Sequence, residues 1–404
     1  MPIQVFPTPS AGASYSSQPP ASASSVLLDG QLVTASSIST SVTGTGAPWL
    51  LYANGAGTTT ITIAGTPYTV TAGSTVGTSA YTGSQSVTVA SLGGFISASP
   101  TPFISSTLPG SSLYWSGVTY GNGYYVAVQG SGTTDGAYSA NGKTWTASTM
   151  PSGGSANGWT GVAYGIGYFV AIAFLTSSGG YSSNGYTWTA STMPGSSLRW
   201  YAVTFGNATF VAVARTTTTG GYSTNGTTWS SMTMPSSATW EAVCYGNGYY
   251  VAVATGPSTS GAYSTNGTSW TASTLPVSAN WSGVAYGNGY FVAVQSSGTT
   301  AGAYSTNGTS WSSMTMSSAG YWSAITYGNG YYVAVEQGGT SAYSTNGTTW
   351  TAGTMPGSAI PWNAITYNNG YFVSVPAGSS TGSYYAFPPL PVAYGIYNGA
   401  TVRA

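Results

Sequence analysis

The chain reads as an all-β protein: a small β-domain followed by a seven-bladed β-propeller of four-stranded antiparallel blades, the ring closed by a strand lying ahead of the first repeat. Three observations carry that reading. Lead tryptophans recur at Trp115, Trp159, Trp200, Trp240, Trp281, Trp322 and Trp362, a spacing of about 40 residues that suits one four-stranded blade. The octet YSTNGTTW stands at residues 222–229 and again, unchanged, at 343–350, with near copies in four other units. The seventh unit breaks off into PPLP before a fourth strand can form, while a strand-like segment without a partner precedes the first unit.

Taken in chain order, residues 1–25 are rich in Pro, Ser and Ala and read as an extended arm. Residues 26–100 carry short alternating runs such as TTTITIAGTPYTVTAG and QSVTVASLGGF. Their alternation predicts strands with one buried and one wet face, a small β-domain suited to anchoring and oligomerisation, a homotrimer being one compatible assembly. Pro100-Thr101-Pro102 marks the junction to the propeller, residues 101–387, and residues 388–404 form a tail after the ring.

Each propeller unit reads W-x-x-V/I-x-Y/F, a turn, Y/F-V-A/S-V/I, a variable loop and, in six units, Y-S-x-N-G-x-T/S-W. Most first turns carry Gly-Asn-Gly, as at Gly121-Asn122-Gly123, residues that tolerate the positive φ of tight hairpins. The second turn carries Asn-Gly, as at Asn225-Gly226, the strongest short hairpin signal. Between turns lie β-branched and aromatic runs too short for helices. The second hairpin resembles the Asp-box of sialidase-type propellers, S-x-D-x-G-x-T-W, with Asn in place of Asp and a spacing one residue shorter. That resemblance covers only the hairpins, and it implies a non-catalytic fold signature rather than an activity.

Closure follows from an internal alignment. The segment TPFISSTLPGSSLYW matches TWTASTMPGSSLRW from the second and third units, so residues 102–108 are expected to supply the missing fourth strand of blade 7. That pairing removes two open sheet edges, which otherwise invite aggregation. Of the fourteen tryptophans only Trp49 lies outside a repeat-equivalent position. Such regularity favours packing over sugar stacking, since large aromatics dominate cores. Cys244 stands where sister units carry Thr119, Ala163, Thr204 and Ala285, the place of a small core residue with no disulfide chemistry.

Composition excludes several functions. The chain holds four basic and four acidic side chains, no histidine, and a net charge of zero, against about a quarter charged residues in ordinary domains. Nucleic acid needs rows of cations, so it is not an expected partner. No apolar run is long enough for a bilayer span, and the N-terminal stretch lacks the basic and apolar regions of a secretory signal, so membrane insertion is not expected and synthesis in a host cytoplasm is. Without histidine there is no Ser-His-Asp triad and no usual zinc site. A glycosidase runs on two carboxylates, and the ring offers only Asp135, Glu241 and Glu336. Sialidases, which the hairpin resembles, also use an arginine triad and a Tyr–Glu pair, whereas this ring has Arg199 and Arg215 alone. The expectation is no enzyme, no catalytic residue, no cofactor and no metal.

The few charges are informative by position. Arg199 and Glu241 flank lead tryptophans, Arg215 and Glu336 follow second strands, and Asp135 lies in a loop between second and third strands. All five fall on one face of the disc, together with the variable loops, where binding residues collect on a rigid scaffold; Lys143 falls on the other. Tyr114, Tyr201 and Tyr321, beside lead tryptophans, complete the candidate binding set, with surface hydration as the alternative role of the charges. The composition and layout resemble those of phage fibre and decoration proteins. They imply a bacteriophage virion-surface protein, a tail-fibre or head-fibre-like adhesin whose propeller meets a host-surface glycan or receptor and whose N-terminal domain meets other virion proteins. The alternatives are a purely structural capsid or tail component and an extracellular bacterial lectin.

Overall fold

The short alternating runs do form strands, and among the described residues every sheet is antiparallel. The computed structural model describes residues 103–385, apart from 111, 112, 133, 153–157 and 358, and the backbone of nine strands outside that span. No described helix is long and apolar enough to cross a membrane. The chain divides into two units, Met1–Thr101 with Pro388–Ala404, and Pro102–Phe387.

The first unit holds a five-stranded sheet. Ile38–Ala53 and Thr75–Val89 pair along its centre; Thr58–Ile63 and Thr66–Thr71 extend one side, and Ile3–Pro7 forms the opposite edge. Within the stretch read as an extended arm, Ile3–Pro7 is extended and paired, Ile3 facing Ala53 across a backbone ladder. Residues 8–25 of that arm lie outside the described residues. In the tail, Tyr394–Tyr397 and Ala400–Arg403 form a hairpin.

The second unit is the seven-bladed ring. Blade 1 comprises Trp115–Gly121, Tyr124–Gln129, Asp135–Ser139 and Thr146–Thr149 in simple meander order. Blades 2, 5 and 6 repeat this plan, while blades 3 and 4 share one continuous strand, Ser230–Gly246, outermost in one and innermost in the next. Blade 7 takes Trp362–Asn368, Tyr371–Pro376 and Thr381–Tyr385 from the chain's end and its fourth strand, Ile104–Thr107, from ahead of blade 1. Each first strand touches the first strands of both neighbours, and Trp362–Asn368 returns to Trp115–Gly121. Thr107 bridges to Thr144 of the blade 1 hairpin just as Thr149 bridges to Thr187 of the blade 2 hairpin. The borrowed strand therefore plays the part of any other fourth strand.

The repeat exists because each blade hides its faces only against a neighbour. All seven lead tryptophans are fully buried, and so is the second-strand aromatic of every blade, Tyr125, Phe169, Phe210, Tyr250, Phe291, Tyr332 or Phe372. At the end of the first strand in six of the seven blades, all but blade 7 with its Asn368, a glycine admits the next blade's ring: a Cβ on Gly206 would sit 2.0 Å from Cγ of Tyr245. The same close approach recurs at Gly121, Gly165, Gly246, Gly287 and Gly328. In the repeated hairpin, Ser223 Oγ accepts the Gly226 amide at 2.9 Å, and Asn225 Oδ1 accepts the Thr227 and Thr228 amides at 3.0 and 2.9 Å. A neutral amide oxygen thus satisfies two backbone donors where a carboxylate would add charge. All six hairpins share this pattern.

Three second-strand tyrosines add a bond across the blade seam. Tyr250 donates to the Gly206 carbonyl and, at 3.1 Å, to that of Thr209; Tyr125 and Tyr332 do the same to blades 7 and 5. Burial first, then neighbouring Tyr245, pushes the Tyr250 phenol up to about 12 from 10.0. An acid whose folded value is raised contributes stability that is intact below the unfolded value and is lost as pH climbs towards the folded one. The urea midpoint is therefore expected to fall between pH 10 and 12, and to fall less steeply in Tyr250→Phe, whose ring fits as it does at Phe210. Gly206→Ala is expected to cost about 1–3 kcal/mol through overpacking. Gly248→Ala, with open space around its Cβ and only a positive φ of 80° to strain, should lower the melting temperature less.

Candidate functional site

The first strands line an axial cavity of about 520 Å³. Its position follows from a backbone irregularity common to all blades. Immediately after each lead tryptophan the ladder to the second strand skips one residue, a β-bulge. Bulges re-aim a side chain out of the sheet's alternation. The skipped residues are Ser116, Thr160, Tyr201, Glu241, Ser282, Ser323 and Asn363, and all seven line the cavity. Small residues follow them, among them Gly117, Gly161, Ala202, Ala242 and Gly283, leaving room at the axis. The mouth lies where the second strands end, on the side of the variable loops.

Five of these bulge residues form a hydrogen-bonded belt from blade to blade. Ser116 donates to the Trp159 carbonyl, Thr160 to that of Trp200 at 2.8 Å, Ser282 to that of Trp322 at 2.5 Å, Ser323 to that of Trp362 at 2.5 Å, and Asn363 Nδ2 to that of Trp115 at 3.0 Å. The last of these crosses the closing seam. Tyr201 and Glu241 occupy the two remaining positions, side by side in blades 3 and 4, and the belt is interrupted there.

Arg215, from the end of the second strand of blade 3, fills the interruption. Its Nε donates to Glu241 Oε2 at 2.7 Å and its Nη2 to Oε1, a two-pronged ion pair, while its guanidinium carbon lies 3.6 Å from the centre of the Tyr201 ring. Bidentate geometry and stacking together are an arginine property that lysine would not reproduce. Burial pushes the Glu241 carboxyl up against the opposing pull of Arg215. For Arg215 burial is the largest single influence and works against the charge, and the hydrogen bonds it donates to Glu241 together with the neighbouring Tyr201, Glu241 and Tyr114 outweigh it. Tyr201 is driven well above the usual phenol range, by burial first and by the Glu241 charge second. Tyr114, 41 % exposed, and half-buried Phe174 add aromatic surface to the same lining.

Of the eight residues singled out in the sequence, the structure brings Tyr114, Tyr201, Arg215 and Glu241 together and leaves four outside the lining. Arg199 faces Arg215 across the ladder, exposed, its guanidinium carbon 6.0 Å from the Phe174 ring centre. Tyr321 is 57 % exposed and leans on Gly298 of the preceding blade. Asp135 is exposed at the start of a third strand. Glu336 is spent on its own loop, accepting from the Tyr321 amide at 3.1 Å and the Thr340 hydroxyl at 2.6 Å. Buried Gln295 ties the equivalent loop of blade 5, accepting from Ser297 and donating to Thr299, so the carboxylate of Glu336 is a local variant of a structural amide. The belt residues and Phe174 were not flagged by the sequence reading. Their signal was the position after each tryptophan, but Ser and Thr are too common here to stand out. Cys244 is half-buried beside the blade 5 cluster, its thiol pushed up by burial. No group of three His, Cys, Asp or Glu suited to a metal exists among the described residues.

No protein-family model matches the chain. No curated protein matches it in sequence. Solved structures do. A virginiamycin B lyase from Staphylococcus aureus superposes with a TM-score of 0.63 at 12 % identity, over 70 % of this chain and 99 % of that one. YCF48 bound to D1 peptide gives 0.57 at 13 % identity, over 73 % and 100 %. The WD40 β-propeller domain of Doa1 gives 0.50 at 12 % identity, over 70 % and 96 %. The shared property is the β-propeller fold. At these identities it says nothing of what the cavity holds.

Removing one partner of the ion pair tests its electrostatics. Glu241 is 9 % exposed and the Arg215 side chain 26 %, so Arg215→Ala is expected to cost about 3 kcal/mol, the low end for a buried pair. Without the cation, only the hydrogen bond with Tyr201 still opposes burial at Glu241, and its folded value rises further. The lost stability should therefore return as pH falls and the carboxyl is neutralised. Arg215→Ala/Glu241→Ala should melt above the single variant at neutral pH, as read by calorimetry.

Proposed function

We propose that this chain is a binding protein rather than an enzyme, a virion-surface adhesin of a bacteriophage whose propeller engages a host-surface glycan at the axial cavity. The observation that carries the reading is the interruption of the belt. In a chain with eight formal charges, a tyrosine and a carboxylate take two of seven equivalent positions at one cavity mouth, and an arginine from a second strand stacks on the one and pairs with the other. Concave sites with a few convergent polar groups and aromatic walls are where small ligands bind, and volumes of about 300–1,000 Å³ are typical. The surrounding loops vary between blades while the frame repeats, as expected of a recognition surface on a scaffold. Weak single-site binding suits an appendage, because many copies on one particle multiply avidity.

The lyase likeness supports no lyase activity here. A catalytically inactive variant of that enzyme with quinupristin is a histidine-to-alanine substitution, and this chain has no histidine. The hairpins with Asn in the Asp-box place fit a non-catalytic relative of the sialidase-type propellers. The near-neutral, Gly-rich composition fits the phage fibre and decoration class, and the first unit suits attachment to other virion proteins. The test is a glycan array and whole-cell adsorption with the full chain. Binding to at least one glycan is expected, weakened about tenfold or more in Arg215→Ala/Glu241→Ala, and antibody to the chain should decorate phage particles. Absence of binding to every glycan and to cells would refute the adhesin. Detection only in the medium of uninfected bacteria would refute the virion assignment.

A further inference from the structure

Resting on the glycan reading above, the geometry narrows the ligand: we propose an uncharged, hydroxyl-rich sugar whose hydroxyls donate, at two seams, the hydrogen bonds that side chains donate at the other five. Around the cavity, Ser116, Thr160, Ser282, Ser323 and Asn363 each donate to the carbonyl of the next lead tryptophan. Among the described residues no side chain donates to the carbonyls of Trp240 and Trp281. The residues in the donor positions are Tyr201, whose ring lies under Arg215, and Glu241, whose carboxylate only accepts.

The polar balance at this spot is one of acceptors. Two tryptophan carbonyls receive no side-chain donor, and the Glu241 carboxylate beside them takes up Nε and Nη2 of Arg215 and the Tyr201 hydroxyl. A buried acceptor without a donor is costly, so a ligand is held by what it donates. Sugar hydroxyls donate and accept at once, matching the acceptors here and the remaining N–H groups of Arg215. A carboxylate, phosphate or sulfate brings acceptors only and would meet the Glu241 charge. The apolar face of a pyranose has Tyr114 and Phe174 to lie against. Arg199, exposed and outside the lining, has no acidic partner among the described residues; an acidic ligand would be drawn there instead.

The experiment compares neutral hexose polymers, dextran and galactan, with polygalacturonate and sialylated glycans. Each is titrated into the full-length protein at low and high salt. A second arm uses Tyr201→Ser/Arg215→Thr/Glu241→Ser, which restores hydroxyl donors at both seams. The expected result is neutral-sugar binding that changes less than about twofold with salt, lost by tenfold or more in the belt-completed variant, whose melting temperature is equal to or above that of the parent. Acidic-only binding, salt-sensitive and abolished by Arg199→Ala, would overturn this inference and leave the glycan reading standing. Absence of binding to any glycan overturns both. Undiminished binding by the belt-completed variant overturns the placement of the ligand, and the parent's sugar panel decides the ligand class whether or not that variant folds.

Discussion

The pairing of Ile104–Thr107 with Thr381–Tyr385 is the contact on which the rest of the molecule depends. A single blade is a four-stranded sheet with two apolar faces, and it can bury them only between two neighbours. In an open row the outer faces of blades 1 and 7 would stand in water with two strand edges exposed. Closing the row gives every blade the same environment, and the seven lead tryptophans show it: all are completely buried, including those at the closing seam. The seam is also stitched at the axis by Asn363 and on the outer side by Lys143, whose ammonium donates to the Tyr371 hydroxyl at 3.1 Å and lies 4.4 Å from the centre of that ring.

A closed ring turns seven chain positions into one circle. The bulge after each tryptophan delivers one side chain per blade to the axis, and five of the seven are used to hold neighbouring blades together. Because the other five seams carry the frame, blades 3 and 4 can present Tyr201 and Glu241 without opening the ring. Arg215 then resolves the electrostatic problem that Glu241 creates, since an unpaired carboxylate at this depth would be neutralised or would destabilise the fold. The division is physical: repetition supplies rigidity, and departure from repetition supplies chemistry.

That same division decides what can be read from the chain. Period, turns, strand order and closure are encoded locally, in tryptophan spacing, Asn-Gly pairs and the match of residues 102–108 to the fourth strands of other units, so they were legible. The grouping of Arg215 with Glu241 was half legible, because rarity marked both residues and topology put them on one face. Their contact depends on a bulge, which shifts register without a residue type to announce it. Glu336 shows the converse failure: a rare charge drew attention, but comparison with Gln129 and Gln295 at the same repeat position reveals a loop anchor. The paired strand at Ile3–Pro7 was missed because its partner lies more than forty residues away, beyond any local pattern.

Hydrogen–deuterium exchange at the closing strand tests the account most directly. If the ring is zipped by Ile104–Thr107, the ladder amides of that segment and of Thr381–Tyr385 exchange as slowly as those of the equivalent strand Thr189–Thr192 in blade 2. Exchange of residues 104–107 at the rate of unprotected amides, with blade 2 still protected, would mean that the ring is open and that the axial site has no fixed geometry.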